Sequence, residues 1–199
     1  MGQPITNLQV NGLNPAVVGG TGTTVKYFPF VPGASINVAS TKNGYVFIPG
    51  NGEANGQVLN VRVGGNFTIG TPGSGVASPA VTVGLYSATF LNGNPGSTAT
   101  INSTAILSQQ WAGSSDVLPP YGFSLDAQIS CESGSGLARI SWGHTEIDGT
   151  AVVVAGGLIS GLTGINMSNP VPFALLVGVT FSVSDAQASA NLYQFDLEQ

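Results

Sequence analysis

Charge is scarce in this chain: 4 Lys plus Arg and 9 Asp plus Glu among 199 residues make 7%, where soluble domains average about 25%. Such a surface is wetted mainly by Ser, Thr, Asn, Gln and backbone groups, which leaves few side chains for catalysis. The single cysteine, Cys131, excludes an intrachain disulfide and any site that needs a second thiol. No apolar run approaches the roughly 20 residues of a membrane-spanning helix, so no membrane partner is expected. With a net charge of −5 and no Lys or Arg between Arg62 and Arg139, the electrostatic basis for gripping phosphates is missing, and nucleic acid is excluded as a partner. The opening Met1 to Thr6 has neither the basic nor the apolar region of a secretory signal, so folding in the cytoplasm where it is made is expected.

What the chain has instead is strand after strand, punctuated by 29 glycines and 12 prolines. Strands are expected near Val25 to Val31, Ser35 to Ala39, Gly44 to Ile48, Gln57 to Val63, Asn66 to Ile69, Ala80 to Phe90, Thr98 to Leu107, Phe123 to Glu132, Leu137 to Ile147, Thr150 to Ala155, Phe173 to Val183 and Asn191 to Glu198. Ala105 to Ala112 admits a single helical turn at most. Without a fixed-period repeat, the pattern predicts an all-β, two-sheet antiparallel sandwich of jelly-roll type over residues 25 to 199. Residues 1 to 24 read as an extended N-terminal arm: Ile5, Leu8, Val10 and Leu13 are too few to make a core and must staple back onto the domain or dock on a partner, and the Gly/Thr run that follows them is flexible by composition.

Alternation assigns faces. Leu125, Ala127, Ile129 and Cys131 share the dry side of one strand, and Asp126, Gln128, Ser130 and Glu132 the wet side. In the next, Ala138, Ile140 and Trp142 fall together, which makes Trp142 a core anchor. The Asp148-Gly149 pair favours the left-handed angles of a tight hairpin turn. Phe173 to Phe181 is apolar on both faces and should be central, whereas Asn191 to Leu197 should place Tyr193, Phe195 and Leu197 on one side.

Chemistry-bearing residues are few. His144, Glu146 and Asp148 alternate along one strand face and are the best metal-ligand set available, but polar side chains where the core gives way to a turn are the simpler account, and no metal is expected. A Ser or Cys nucleophile would depend on His144, the only histidine, and no nucleophile-elbow motif is present. No enzyme, no catalytic residue and no cofactor are therefore expected. Trp111, Tyr121 and Phe123 flank Leu118-Pro119-Pro120 and form a candidate aromatic loop for stacking on sugars or on a partner subunit.

The stretch Gly2-Gln3-Pro4-Ile5-Thr6-Asn7-Leu8-Gln9 and the closing Val177 to Phe181 and Asn191 to Phe195 resemble tailed-bacteriophage capsid decoration, or cement, proteins. The resemblance implies a noncatalytic virion protein that binds the major capsid protein as an oligomer, often a homotrimer, on the capsid surface, with Ile5, Leu8, Val10 and Leu13 in the arm that reaches neighbours. Two alternatives stand beside it: a carbohydrate- or receptor-binding β-sandwich of a fibre or spike, and a jelly-roll major coat protein.

Overall fold

Alternating apolar and polar residues give the chain strands with one dry face each, and such strands must pair and cover that face. The computed structural model describes residues 6–8, 16–28, 46–48, 58–69, 80–90, 99–101, 104–112, 120–131, 138–157 and 173–198, and folds them into two antiparallel sheets with no helix among them. The strands are β1 (Thr6–Leu8), β2 (Ala16–Gly19), β3 (Lys26–Tyr27), β4 (Val46–Ile48), β5 (Val58–Thr68), β6 (Val81–Phe90), β7 (Ala99–Ile101), β8 (Leu107–Trp111), β9 (Tyr121–Cys131), β10 (Ala138–Ile147), β11 (Thr150–Gly157), β12 (Phe173–Phe181) and β13 (Ser189–Glu198). The expected strand Ser35 to Ala39 and the side chain of Cys131 lie outside what is described. Where one helical turn was admitted, β8 is a strand, with Leu107, Gln109 and Trp111 inward and Ser108 and Gln110 outward.

The larger sheet runs β1-β13-β5-β9-β10-β11, with β2 also on β13; the smaller runs β3-β12-β6-β7, with β4 on β12 and β8 on β6. Nonlocal pairing of this kind, β13 with β5 and β12 with β6, is what the jelly-roll expectation requires. As its two apolar faces predict, β12 is central, and Leu175, Leu176, Val177 and Val179 are all buried. The core lies between the sheets: Leu59, Val61, Val63, Leu125, Ala127 and Ile129 from one side meet Val81, Val83, Leu85, Val177 and Phe181 from the other. Each such Val, Leu, Ile or Phe side chain, moved from water to a packed interior, contributes about 1.5–3 kcal/mol before chain entropy is counted.

Within residues 1 to 24, β1 pairs with β13, placing Leu8 opposite Phe195, and β2 pairs with the same strand, placing Val18 opposite Ala190. Ile5, Val10 and Leu13 lie outside the described residues. The Gly/Thr run read as flexible is tied down: the Gly20 N–H donates to the Ala188 carbonyl at 2.7 Å and the Gly22 N–H to the Ser184 hydroxyl at 2.7 Å. The Lys26 ammonium caps the same turn by donating to the Gly19 and Thr21 carbonyls.

On the outer side of the smaller sheet, Gly84 and Gly178 stand opposite each other and leave a hollow that the Tyr86 ring occupies, with Tyr27 edge-on at 5.3 Å. A Cβ at Gly178 would lie 2.9 Å from the Tyr86 ring and 3.1 Å from that of Tyr27, so the hollow exists because both positions lack one. Burial pushes the Tyr27 phenol up from 10.0 to about 12, with Tyr86 adding to the effect, and burial raises Tyr86 as well. Between pH 10 and about 12 the folded chain therefore keeps a proton that the unfolded chain releases, so this contribution to stability is full below about pH 10 and is lost as pH rises through 12. Urea midpoints are expected to hold steady up to about pH 9.5 and to fall above it, with Tyr27→Phe removing much of the fall. Parallel declines in the two proteins would show that another group is responsible.

Candidate functional site

Two strands of the larger sheet carry one residue too many, and both irregularities shape its outer face. In β10, Ile140 stands opposite Ile129 and Trp142 opposite Gln128, which leaves Ser141 as the extra residue of a bulge; its hydroxyl donates to the Gln128 carbonyl at 3.2 Å. The slip reverses the phase of everything that follows. Gly143, Thr145 and Ile147 turn inward, and Trp142, His144 and Glu146 turn out. The expectation of Trp142 as a core anchor is thereby corrected: it is 39% exposed.

The turn that closes this hairpin is as expected. Asp148 and Gly149 have φ of 48° and 77°, and Ile147 stands opposite Thr150. In β13 the slip falls between Leu192 and Gln194, so Leu192 and Phe195 are both buried and Tyr193 is displaced toward the outer face. This corrects the expectation that Tyr193 shares a side with Phe195.

Register then lays out the outer face in rows across β13, β5, β9 and β10. One row reads Glu198, Asn60, Gln128, Trp142; the next Asp196, Arg62, Asp126, His144; the third Gln194, Gly64, Ser124, Glu146. Directly opposed residues in adjacent strands have Cβ atoms about 4.5–5.5 Å apart, so each row is a line of neighbouring side chains. The Trp142 and His144 rings are nearly parallel, 7° apart in plane with centroids at 6.1 Å. An open cleft of about 290 Å³ lies beside Trp142, walled by Asn60, Arg62, Asp126 and Gln128.

Arg62 is well exposed and stands 4.0 Å from the Asp126 carboxylate. At that separation in water an ion pair adds little stability, which leaves the guanidinium free to meet a ligand. At the other side of the face, the Asn191 amide donates to Asn66 Oδ1 at 2.9 Å, and the Tyr193 hydroxyl accepts from Asn66 Nδ2 at 3.2 Å, which fixes the phenol ring.

The aromatic residues first offered as a ligand loop are elsewhere. Trp111, Tyr121 and Phe123 lie in β8 and β9 and are buried, a correction to the loop reading. Trp111 and Tyr121 pack with Phe67 at centroid distances of 4.4 to 5.4 Å, and Phe123 meets Phe28 at 6.5 Å, so they close part of the core. His144 and Glu146 share the outer face while Asp148 sits in the turn. Among the described residues no three of His, Cys, Asp or Glu come together as a metal site.

No protein-family model and no curated protein matches this chain. Several solved structures are similar to it. One is an alginate lyase variant in complex with an alginate trisaccharide, at 12% identity over 94% of this chain and 99% of that one, with a TM-score of 0.38. Another is an alginate lyase of polysaccharide lyase family 7, at 10% identity over 88% of this chain and 79% of that one, with a TM-score of 0.32.

Neither is a capsid protein. The expectations of a noncatalytic capsid-binding protein and of no enzyme are corrected on this finding. At these identities and scores the likeness assigns no activity, substrate or residue role to this chain.

Proposed function

We propose that this chain is a carbohydrate-binding β-sandwich that takes a glycan on the outer face of its larger sheet. The observation that carries the reading is the outward turn of Trp142 beside an open cleft of hydrogen-bonding side chains. A pyranose ring has an apolar face of C–H groups and a rim of hydroxyls. An exposed indole offers the first a flat apolar partner. The amides of Asn60 and Gln128, each with two donors and an acceptor oxygen, and the fork of Arg62 with the carboxylate of Asp126 offer the rim both kinds of hydrogen-bond partner.

Rigidity supports the same reading. The residues stand on β5, β9 and β10, which are paired over most of their lengths, so little ordering entropy is lost when a ligand binds. Calorimetric titration against a panel of oligosaccharides tests the reading, and at least one is expected to bind the wild-type chain. Chromatography of the glycan afterwards shows whether it is returned intact or cleaved. If the folded chain binds none, the outer face is not a carbohydrate site.

A further inference from the structure

Charge and relief on this face go further than the general reading and name the kind of glycan. Among the described residues, register puts four carboxylates here, Asp126, Glu146, Asp196 and Glu198, around the guanidinium of Arg62. Arg62, the cation at the cleft, stands between Asp196 on β13 and Asp126 on β9, so its charge is offset from both sides. A glycan bearing a carboxylate or sulfate on each sugar would bring like charge against like, the repulsive element by which a surface rejects a wrong partner. An uncharged glycan meets no such barrier, and the same carboxylates accept its hydroxyl protons.

The relief gives the path. Beyond the row of His144, Asp126, Arg62 and Asp196, the outward positions of the two middle strands are small: Ser124, opposite Glu146, and Gly122 on β9, and Gly64, opposite Gln194, on β5. A Cβ added at Gly122 would meet nothing within 4 Å, and one added at Gly64 would meet only the Gln194 side chain, at 3.4 Å. The result is a trough about 14 Å wide, three strand spacings, with Tyr193 at its β13 margin and with His144 and Trp142 one and two rows to the side on β10. Tyr193 reaches its margin through the β13 slip and is held there by Asn66.

We infer, resting on the carbohydrate reading above, that the ligand is an uncharged polysaccharide chain lying obliquely across the strands from Trp142 to Tyr193, past Asp126 and Arg62 and over the low floor of Ser124 and Gly64. Aromatic margins with a low floor accommodate a chain of several rings, and the shallow, open form suits binding along the length of the chain as well as at its ends.

The test titrates the full chain with neutral oligosaccharides of β-linked glucose, xylose and mannose and with oligouronates of equal length, at low and high salt. Neutral binding that is indifferent to salt is expected, and Ser124→Trp, which fills the trough without touching the cleft, is expected to weaken it about tenfold or more. If Ser124→Trp fails to fold, Gly64→Trp serves, since an added Cβ there meets only the Gln194 side chain, at 3.4 Å. Asp126→Asn with Asp196→Asn is expected to admit oligouronates that the wild type rejects. Preferential, salt-sensitive binding of oligouronates by the wild type would overturn the inference while leaving the carbohydrate reading intact. Undiminished neutral binding by the trough-filling variants would overturn the path, and failure to bind any glycan would overturn the carbohydrate reading itself.

Discussion

Trp142→Ala is expected to weaken glycan binding by about 30-fold or more while the protein stays folded, because a central aromatic at a binding surface commonly carries 2 kcal/mol or more of the affinity. The indole is 39% exposed and sits outside the core, so its removal opens no enclosed cavity. The expected loss of stability is under about 1 kcal/mol, which in a domain of this size moves Tm by no more than about 4 °C. Titration and thermal melts on the same preparation check both halves. Binding that survives Trp142→Ala unchanged would remove the platform from the proposed site.

Trp111→Ala is expected to do the reverse. Trp111 is 9% exposed and packs against Tyr121 at 4.4 Å and Phe67 at 5.4 Å, so deleting its side chain leaves a cavity that neither ring can fill without leaving its own partners. Large-to-small changes of this kind cost about 3–5 kcal/mol, a sizeable part of the roughly 5–15 kcal/mol that keeps a domain folded. Tm should fall by about 6–20 °C, while glycan affinity measured well below the transition stays near that of the wild type. A stable Trp111→Ala protein that no longer binds would return the ligand site to the strands beside Pro119-Pro120. The two tryptophans thus separate the outer-face site from the core by opposite results in one pair of experiments.

Sequence pattern alone misplaces both tryptophans, for different physical reasons. Trp111, Tyr121 and Phe123 looked like loop residues because two prolines stand among them, yet Tyr121, Phe123 and Leu125 continue one alternating face and are buried together. That alternation was the stronger signal, since the inward side of a strand beside a turn is still inside. Counting forward from Ile140 places Trp142 inward. Counting back from the Asp148-Gly149 turn through Ile147 gives the opposite answer, because Ile140 and Ile147 are seven residues apart and cannot share a face of a regular strand. Both are 1% exposed, which only an extra residue between them allows. The same arithmetic marks β13, where Leu192 and Phe195 are three apart and both fully buried.

The regular parts were legible because one local rule sufficed for each. The hairpin turn, the central position of β12 and the wet side of β9 with Asp126 and Gln128 all follow from short-range pattern. What joins Asp126 to Arg62 and Trp142 is register between strands distant in sequence, which alternation does not encode. Half of the proposed site was therefore visible as a polar strand face, and its aromatic half was hidden behind a one-residue slip.

Ser141 is a position at which the hairpin can shorten without changing what it displays. Losing this one residue would close the bulge and let Trp142 follow Ile140 directly, with Ile140 still facing inward opposite Ile129 and the indole still facing outward opposite Gln128.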